Sequence, residues 1–394
     1  MKAFDFKGPI ASSKSYFNRA LILSHYKKDL VLYGNSQSLD VVNLQKALLT
    51  VQAQEGKGEV YVGSGGTTLR FLSFLISRIP GQWKLVGEPR LFERPQQPLQ
   101  TLLQYFGVDV EFGPHFLEIE SKGWCKPQGS IPLDLTQSTQ FASGLILNAW
   151  NLPFPIELSE SAEKVSDGYL EMTLDLVQKS GMKISRQGPQ MTIGEGQQIS
   201  VSEIKVEPDL SSAFVVASLA ACRGHCEIQD FPFSSLQPDL LFVRLFEKMN
   251  VPLETRGSTL VVDRAFDLRP LEVSLRQAPD LFPVLAVLLT RAKGTSRIYN
   301  IPQLRFKESD RLSRTCELLH HMKVPFEAGD AELKIMSRGR HHHQFFEFNP
   351  DQDHRLAFAA ALARSMGYRM KILDPEVVNK SFPGFWNLIG GGPG

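Results

Sequence analysis

Four stretches of this chain are apolar almost all the way round a helix, and four others are apolar on one face only. Phe141–Trp150, Ala213–Cys222, Leu281–Ala292 and Leu356–Met366 carry so few polar residues that they predict helices buried on every side. Val41–Leu49, Tyr169–Ser180, Leu240–Met249 and Ser309–Met322 mix charge with apolar spacing, which predicts helices of an outer layer. Gly224, Gly294 and Gly367 stand just past three of the buried helices, and Pro80-Gly81 closes the segment after Thr67. Between the helices lie β-branched runs, Glu59–Val62, Thr259–Val262 and Ser296–Ile301, which read as strands.

The buried helices belong to a repeat. Six times a short polar motif precedes an apolar helix, followed usually by a turn, a strand and a more amphipathic helix. The motifs are Ser13-Lys14-Ser15, Gly65-Gly66-Thr67, Ser138-Thr139-Gln140, Asp209-Leu210-Ser211-Ser212, Pro279-Asp280 and Asp353-His354-Arg355. After a shorter first interval they recur roughly every 70 residues, the mark of a repeated supersecondary unit. Six units divide naturally into two groups of three, with Lys205–Asp209 as the expected crossing point. The predicted fold class is α/β: two similar domains, each of three βαβ-type units with buried helices, and an active site in the cleft between them.

Each motif stands where a helix N-terminus leaves N–H groups unpaired and favours an anion. Taken singly, Ser, Thr and Asp at these places are ordinary caps. A cap does not need Lys14, Arg19, Arg94, Lys307, Arg311, Arg355 and Lys380 in its neighbourhood, so the set points to a polyanionic ligand.

Composition narrows the partner. With 394 residues, 42% hydrophobic, 22% charged and a net charge of +1, the chain is a globular protein with no broad positive field. Nucleic acid and membrane are therefore not expected partners. Met1–Ile10 carries Lys2, Asp5 and Lys7 and lacks the apolar core of a signal peptide, and no apolar run reaches the roughly 20 residues of a bilayer span. A cytoplasmic location is expected, with Cys125, Cys222, Cys226 and Cys316 reduced. His341-His342-His343 lacks a carboxylate or thiol at useful spacing and reads as a solvated loop rather than a metal site. Cys222 and Cys226 read as structural, and Gly390–Gly394 as a flexible tail.

Several segments, taken in order, resemble the 5-enolpyruvylshikimate-3-phosphate synthase family, one of the enolpyruvyl transferases. They are Ser13-Lys14-Ser15 with Asn18-Arg19-Ala20-Leu21, Gly63–Thr67 with Arg70, and Gly87-Glu88-Pro89-Arg90 with Glu93-Arg94-Pro95. Ser138-Thr139-Gln140-Phe141, Lys307–Leu312, Asp353-His354-Arg355 and Leu373-Asp374-Pro375 with Lys380–Pro383 continue the series. Gly-Glu-Pro-Arg with Glu-Arg-Pro, and Lys-Glu-x-Asp-Arg, are specific; a Gly-rich stretch alone is not. The resemblance implies transfer of the enolpyruvyl group of phosphoenolpyruvate to the 5-hydroxyl of shikimate 3-phosphate, on the route to chorismate and aromatic amino acids. Phosphate is released through a tetrahedral intermediate, without a cofactor or metal. The implied domains are residues 13–208, mainly for shikimate 3-phosphate, and 1–12 with 209–394, for catalytic carboxylates and phosphoenolpyruvate-binding cations. A monomer is the expected state.

Residue by residue, the resemblance implies that Lys14, Gly66, Thr67, Arg94, Gln140, Arg311, Arg355 and Lys380 hold phosphoenolpyruvate. Arginine suits this work as a planar two-point donor and lysine as a mobile point charge. Lys14, Ser15, Arg19, Ser138, Thr139, Gln140, Ser166, Tyr169, Asp280, Gln303 and Lys307 would contact shikimate 3-phosphate. Asp280, Glu308 and Lys14 would handle protons, Asp280 at the substrate hydroxyl and Glu308 at the enol methylene. By themselves, Asp280 also fits a helix cap and Glu308 an i+3 partner of Arg311. Without a ligand, the clustered cations are expected to repel one another and favour an open state.

The family pattern is not followed everywhere. Ser12, Ser64-Gly65, Phe71, Thr139, Asp167-Gly168 and Gln303 stand where the family commonly has other residues, and Asp167 replaces a lysine. Two other readings compete: a transferase acting on UDP-N-acetylglucosamine, disfavoured because Cys125 lies outside that family's loop, and a ligand-binding homologue with weakened turnover. Nucleic-acid end processing on a related repeat fold lacks both the charge and a nucleotide site.

Overall fold

The computed structural model describes residues 3–54, 56–337 and 344–390. His341–His343 and the residues after Gly390 therefore lie outside the described residues. Contacts divide the chain into two units, Ser12–Val206 and Met1–Ala11 with Glu207–Gly394.

In the unit Ser12–Val206, two four-stranded sheets share one pattern. Lys57–Tyr61 runs parallel to Gly81–Val86, which pairs antiparallel with Phe116–Ser121, and Asp109–Phe112 closes the edge. Ile131–Leu133, Ile156–Glu160, Gln190–Ile193 and Ile184–Gln187 repeat that order. The third repeat is reduced to Val31–Tyr33 beside Glu203–Lys205, joining the two ends of the unit. Lys14–Tyr26, Gly66–Ile76 and Gln140–Leu147 are the buried helices and pack on one another. Gly144 permits this: a Cβ there would lie 2.7 Å from a Phe74 ring carbon and 3.2 Å from the Arg70 carbonyl oxygen.

The other unit repeats the plan. Phe4–Pro9 runs parallel to Gly224–Gln229, followed by Thr259–Asp263 and Leu253–Arg256. Glu272–Ser274, Gly294–Tyr299, Glu332–Ser337 and Phe326–Ala328 form the second sheet, and Phe346–Phe348 with Met370–Ile372 the reduced one. Leu210–Arg223, Phe282–Leu289 and His354–Ser365 form its apolar centre.

The predicted helices form, with ends set by side chains. Phe141–Trp150 was expected, but the helix is Gln140–Leu147, because Asn148 turns its amide to the Gly144 carbonyl at 2.7 Å and the Phe71 carbonyl at 3.1 Å. Leu281–Ala292 shortens to Phe282–Leu289, entered through a 3-10 turn at Pro279–Leu281. Ser309–Met322 begins only at Arg311, since Asp310 caps it by accepting from the Ser313 amide at 3.0 Å.

Candidate active site

In the unit Ser12–Val206 the candidate residues gather at the starts of the three buried helices. Ser13 caps the first, accepting from the Tyr16 amide at 3.4 Å. One residue on, Lys14 Nζ lies 2.9 Å from Asp40 Oδ2, both largely buried. Arg19, from the same helix, is 1% exposed. Its guanidinium donates to Thr173 Oγ1 at 2.7 Å, the Ser15 carbonyl at 2.6 Å and the Tyr169 carbonyl at 2.8 Å. Burial pulls its pKa down to about 10 against the opposing pull of Tyr169 and Tyr16. Phe71 underlies it, with the guanidinium 5.4 Å from the ring centre. Arg19 thus ties Ser15 and Tyr169 together from within.

At the second helix, Asn18 donates to Thr67 Oγ1 at 3.0 Å. A Cβ on Gly66 would lie 2.8 Å from Arg94 Nη1 and 3.0 Å from Nη2, so the absent side chain is what lets the guanidinium lie against the helix start. Arg70 was read only as part of the Gly-rich motif. Buried, it donates to Gln140 Oε1 at 2.8 Å, Ser138 Oγ at 3.2 Å and Gln96 Oε1 at 3.2 Å. Burial and then the charge of Arg94 hold its pKa well below the ordinary arginine value. The guanidinium lies over Phe141 at 4.2 Å from the ring centre, so Arg70 orients two candidates of the third helix.

At that third helix Thr139 Oγ1 donates to the Ser166 carbonyl at 3.1 Å. Ser166 adopts the left-handed conformation (φ 55°) just before the helix Asp167–Lys179. Burial raises the Asp167 carboxyl's pKa, while Lys164, 3.9 Å away, opposes the shift.

The second set lies in the other unit, around Arg311. Its Nε donates to Asp353 Oδ2 at 2.7 Å and its Nη2 to Asp353 Oδ1 at 3.3 Å. Nη1 meets Asp280 Oδ1 at 2.7 Å, and Nη2 also reaches Glu308 Oε2 at 3.3 Å. Arg355 Nη2 donates to the other Asp280 oxygen at 3.1 Å, so one carboxylate spans two guanidiniums. Burial opposes ionisation of Asp280, yet Arg355, Arg311 and Lys307 together hold its carboxyl well below the usual range. His354 Nδ1 lies 3.0 Å from Glu308 Oε2. Asp353, fully buried, caps the helix His354–Ser365 and accepts from the Arg355 amide at 2.9 Å and Ser309 Oγ at 3.2 Å. Ligand atoms of Glu308, Asp353 and His354 fall within 4.8 Å of one another, a spacing a cation would accept. The Arg311 guanidinium already occupies both Asp353 oxygens, so the charge between these acids is supplied by protein.

Three further candidates belong to this unit. Lys307 acts on the Asp280 carboxylate. Lys380 Nζ donates to the Gln352 carbonyl at 2.7 Å. Gln303 is buried, its amide donating to the Arg276 carbonyl at 3.2 Å.

Three of the clustered cations are paired with carboxylates. Lys14 holds Asp40, Arg311 holds Asp353, and Arg355 shares Asp280, each within its own unit. Asp40 and Asp239 were not foreseen: each is buried, and each acts on a candidate residue far along the chain.

The EPSP synthase (3-phosphoshikimate 1-carboxyvinyltransferase) family profile matches residues 35–389. A 3-phosphoshikimate 1-carboxyvinyltransferase of Methanoculleus marisnigri is 33% identical over 342 residues, 85% of this chain and 80% of its own. That of Pseudoalteromonas translucida is 28% identical over 409 residues, 96% of this chain and 95% of its own. Among solved structures, an EPSP synthase from Acinetobacter baumannii has the same fold, with a TM-score of 0.74 at 19% identity over 99% of this chain and 96% of that one.

Proposed function

The chain belongs to the EPSP synthase family, and we propose that its two sets of residues carry out that family's transfer together, on one molecule each of phosphoenolpyruvate and shikimate 3-phosphate. Lys14, Arg94, Arg311, Arg355 and Lys380 take the phosphate and carboxylate of phosphoenolpyruvate, with Gly66, Thr67 and Gln140 beside them. Ser15, Arg19, Ser138, Thr139, Gln140, Ser166, Tyr169, Gln303 and Lys307 serve shikimate 3-phosphate, some by contact and Arg19 by holding Ser15 and Tyr169.

The chemistry runs in two steps. The 5-hydroxyl oxygen bonds to C2 of the enol as its proton passes to Asp280, and C3 takes a proton from Glu308. The tetrahedral adduct then loses phosphate by cleavage of the bond between C2 and the phosphate oxygen. The proton held by Asp280 passes to the departing phosphate, and a methyl proton returns to Glu308, leaving the enol ether. Lys14 balances the charge that builds on the oxygens.

The observation that carries this reading is the Asp280 carboxylate spanning Arg311 and Arg355 at 2.7 and 3.1 Å. So held, Asp280 is a poor base. An anionic substrate that draws the two guanidiniums to itself removes the charges that keep its pKa low, and Asp280 becomes basic as the substrate arrives. Phosphate release from phosphoenolpyruvate, followed with and without shikimate 3-phosphate, tests the reading. Release only when both are present is the expected result; no release with both would overturn it.

Among the described residues no helix is long and apolar enough to cross a membrane.

A further inference from the structure

Asp239 stands in the 3-10 turn Pro238–Leu240, packed against the start of the helix Leu210–Arg223, and is 3% exposed. Its Oδ2 accepts from Ser211 Oγ. Its Oδ1 is buried with no hydrogen-bond partner among the described residues. Arg355 is its counterpart: 4% exposed, with Nη2 on Asp280 and a buried Nε that has no partner among the described residues. Asp239 is held by Ser211 at the start of the helix Leu210–Arg223, which packs against His354–Ser365, and Arg355 stands in the first turn of that second helix. Their opposite charges favour each other's ionised form. The other acids felt by Asp239 are Asp280 and Asp209, while Arg244, Glu247 and Lys248 of the adjoining helix Leu241–Lys248 are exposed. A lone buried acceptor and a lone buried donor of opposite charge are groups that a working enzyme satisfies.

We propose that Asp239 is a positioning residue for Arg355: its Oδ1 accepts from Arg355 Nε, directly or through one bridging water, and fixes the guanidinium plane that offers Nη atoms to Asp280 and to the anionic substrate. This rests on Arg355 binding phosphoenolpyruvate as proposed above. The role needs an acceptor oxygen rather than a charge, because Oδ1 accepts whether or not Asp239 carries a proton on Oδ2. Nothing in the motif pattern singles Asp239 out, since Gln237-Pro238-Asp239 reads as an ordinary turn.

Steady-state kinetics of the full chain separates this role from a merely structural one. Asp239→Ala is expected to raise the KM for phosphoenolpyruvate roughly tenfold while moving that for shikimate 3-phosphate less than about twofold. Asp239→Asn, which keeps the acceptor oxygen, is expected to recover most of the loss. An unchanged KM in Asp239→Ala, an equal rise for both substrates, or an Asn variant as impaired as the Ala variant would each sink the proposal. A crystal structure of the unsubstituted enzyme with phosphoenolpyruvate decides the matter even if a variant fails to fold. Asp239 Oδ1 bonded to Arg355 Nε directly or through one water supports the role, and any other arrangement overturns it. Wild-type enzyme that releases no phosphate would count against the proposed reaction, whereas active wild-type with an unaffected Asp239→Ala counts only against Asp239.

Discussion

Replacing Asp239 by asparagine should make the protein more stable, and increasingly so as pH rises. Burial, with the like charge of Asp280 and against the pull of Arg355, raises the Asp239 carboxyl from the ordinary 3.8 to about 7. A raised carboxyl pKa means that the folded state holds a proton the unfolded chain has already given up. Stability is therefore whole below the unfolded value and declines as pH climbs toward 7, after which the loss is constant. At about 1.4 kcal/mol for each pH unit, the interval corresponds to at most ~4 kcal/mol. Asparagine is nearly isosteric, keeps Oδ1 and offers an N–H to Ser211 Oγ, and it has no proton to lose. Its advantage over the wild type should grow by about 2 kcal/mol between about pH 5.5 and about pH 8.5. The like charge of Asp280 helps to hold this proton on Asp239, and in the variant the titration step should vanish. Urea unfolding of both proteins at the two pH values, followed by far-ultraviolet circular dichroism, reads the difference. A variant destabilised equally at both would show that Asp239 is ionised throughout and that its burial carries no such cost.

Other outcomes follow from single contacts. Lys14→Met and Glu308→Ala should each lower turnover at least about 100-fold while circular dichroism remains that of the wild type; wild-type rates in either would remove that residue from the chemistry. Gly66→Ala sets a methyl 2.8 Å from Arg94 Nη1, so the KM for phosphoenolpyruvate should rise several-fold, with less than about 1 kcal/mol lost in thermal unfolding. Asp353→Ala removes two contacts from a buried Arg311 and the cap of the helix His354–Ser365; a loss of about 3 kcal/mol in unfolding free energy is expected, and a loss under about 1 kcal/mol would mean that Asp280 and Glu308 suffice.

The repeat was legible because burying a helix on all sides demands an apolar sequence all round, a constraint strong enough to read through Ala213–Cys222 and Leu356–Met366. Helix ends were less legible. The stop at Leu147 depends on Asn148 reaching Phe71, and no local signal announces a contact made across two helices. Asp310, by contrast, caps from the adjacent position and belongs to a readable pattern. In the candidate site, residue types were legible from charge at helix starts, but pairing was not. Asp40 finds Lys14 from the second helix of a repeat. Arg70 was visible within a motif, yet its work on Ser138 and Gln140 depends on the close packing that Gly144 allows. Asp239 sits in a plain turn and gains meaning only from Arg355, on a distant helix of the same unit. The resemblance places Gly66 among the residues that hold phosphoenolpyruvate; what the geometry asks of it is the missing Cβ beside Arg94.

All of this depends on carbon moving from one substrate to the other. With phosphoenolpyruvate labelled at C3 with carbon-13, nuclear magnetic resonance of the reaction with shikimate 3-phosphate follows the label directly. The expected spectrum shows it in an enol ether on the 5-oxygen, with one phosphate freed for each transfer. Label left in phosphoenolpyruvate, or recovered as pyruvate, would contradict the proposed chemistry.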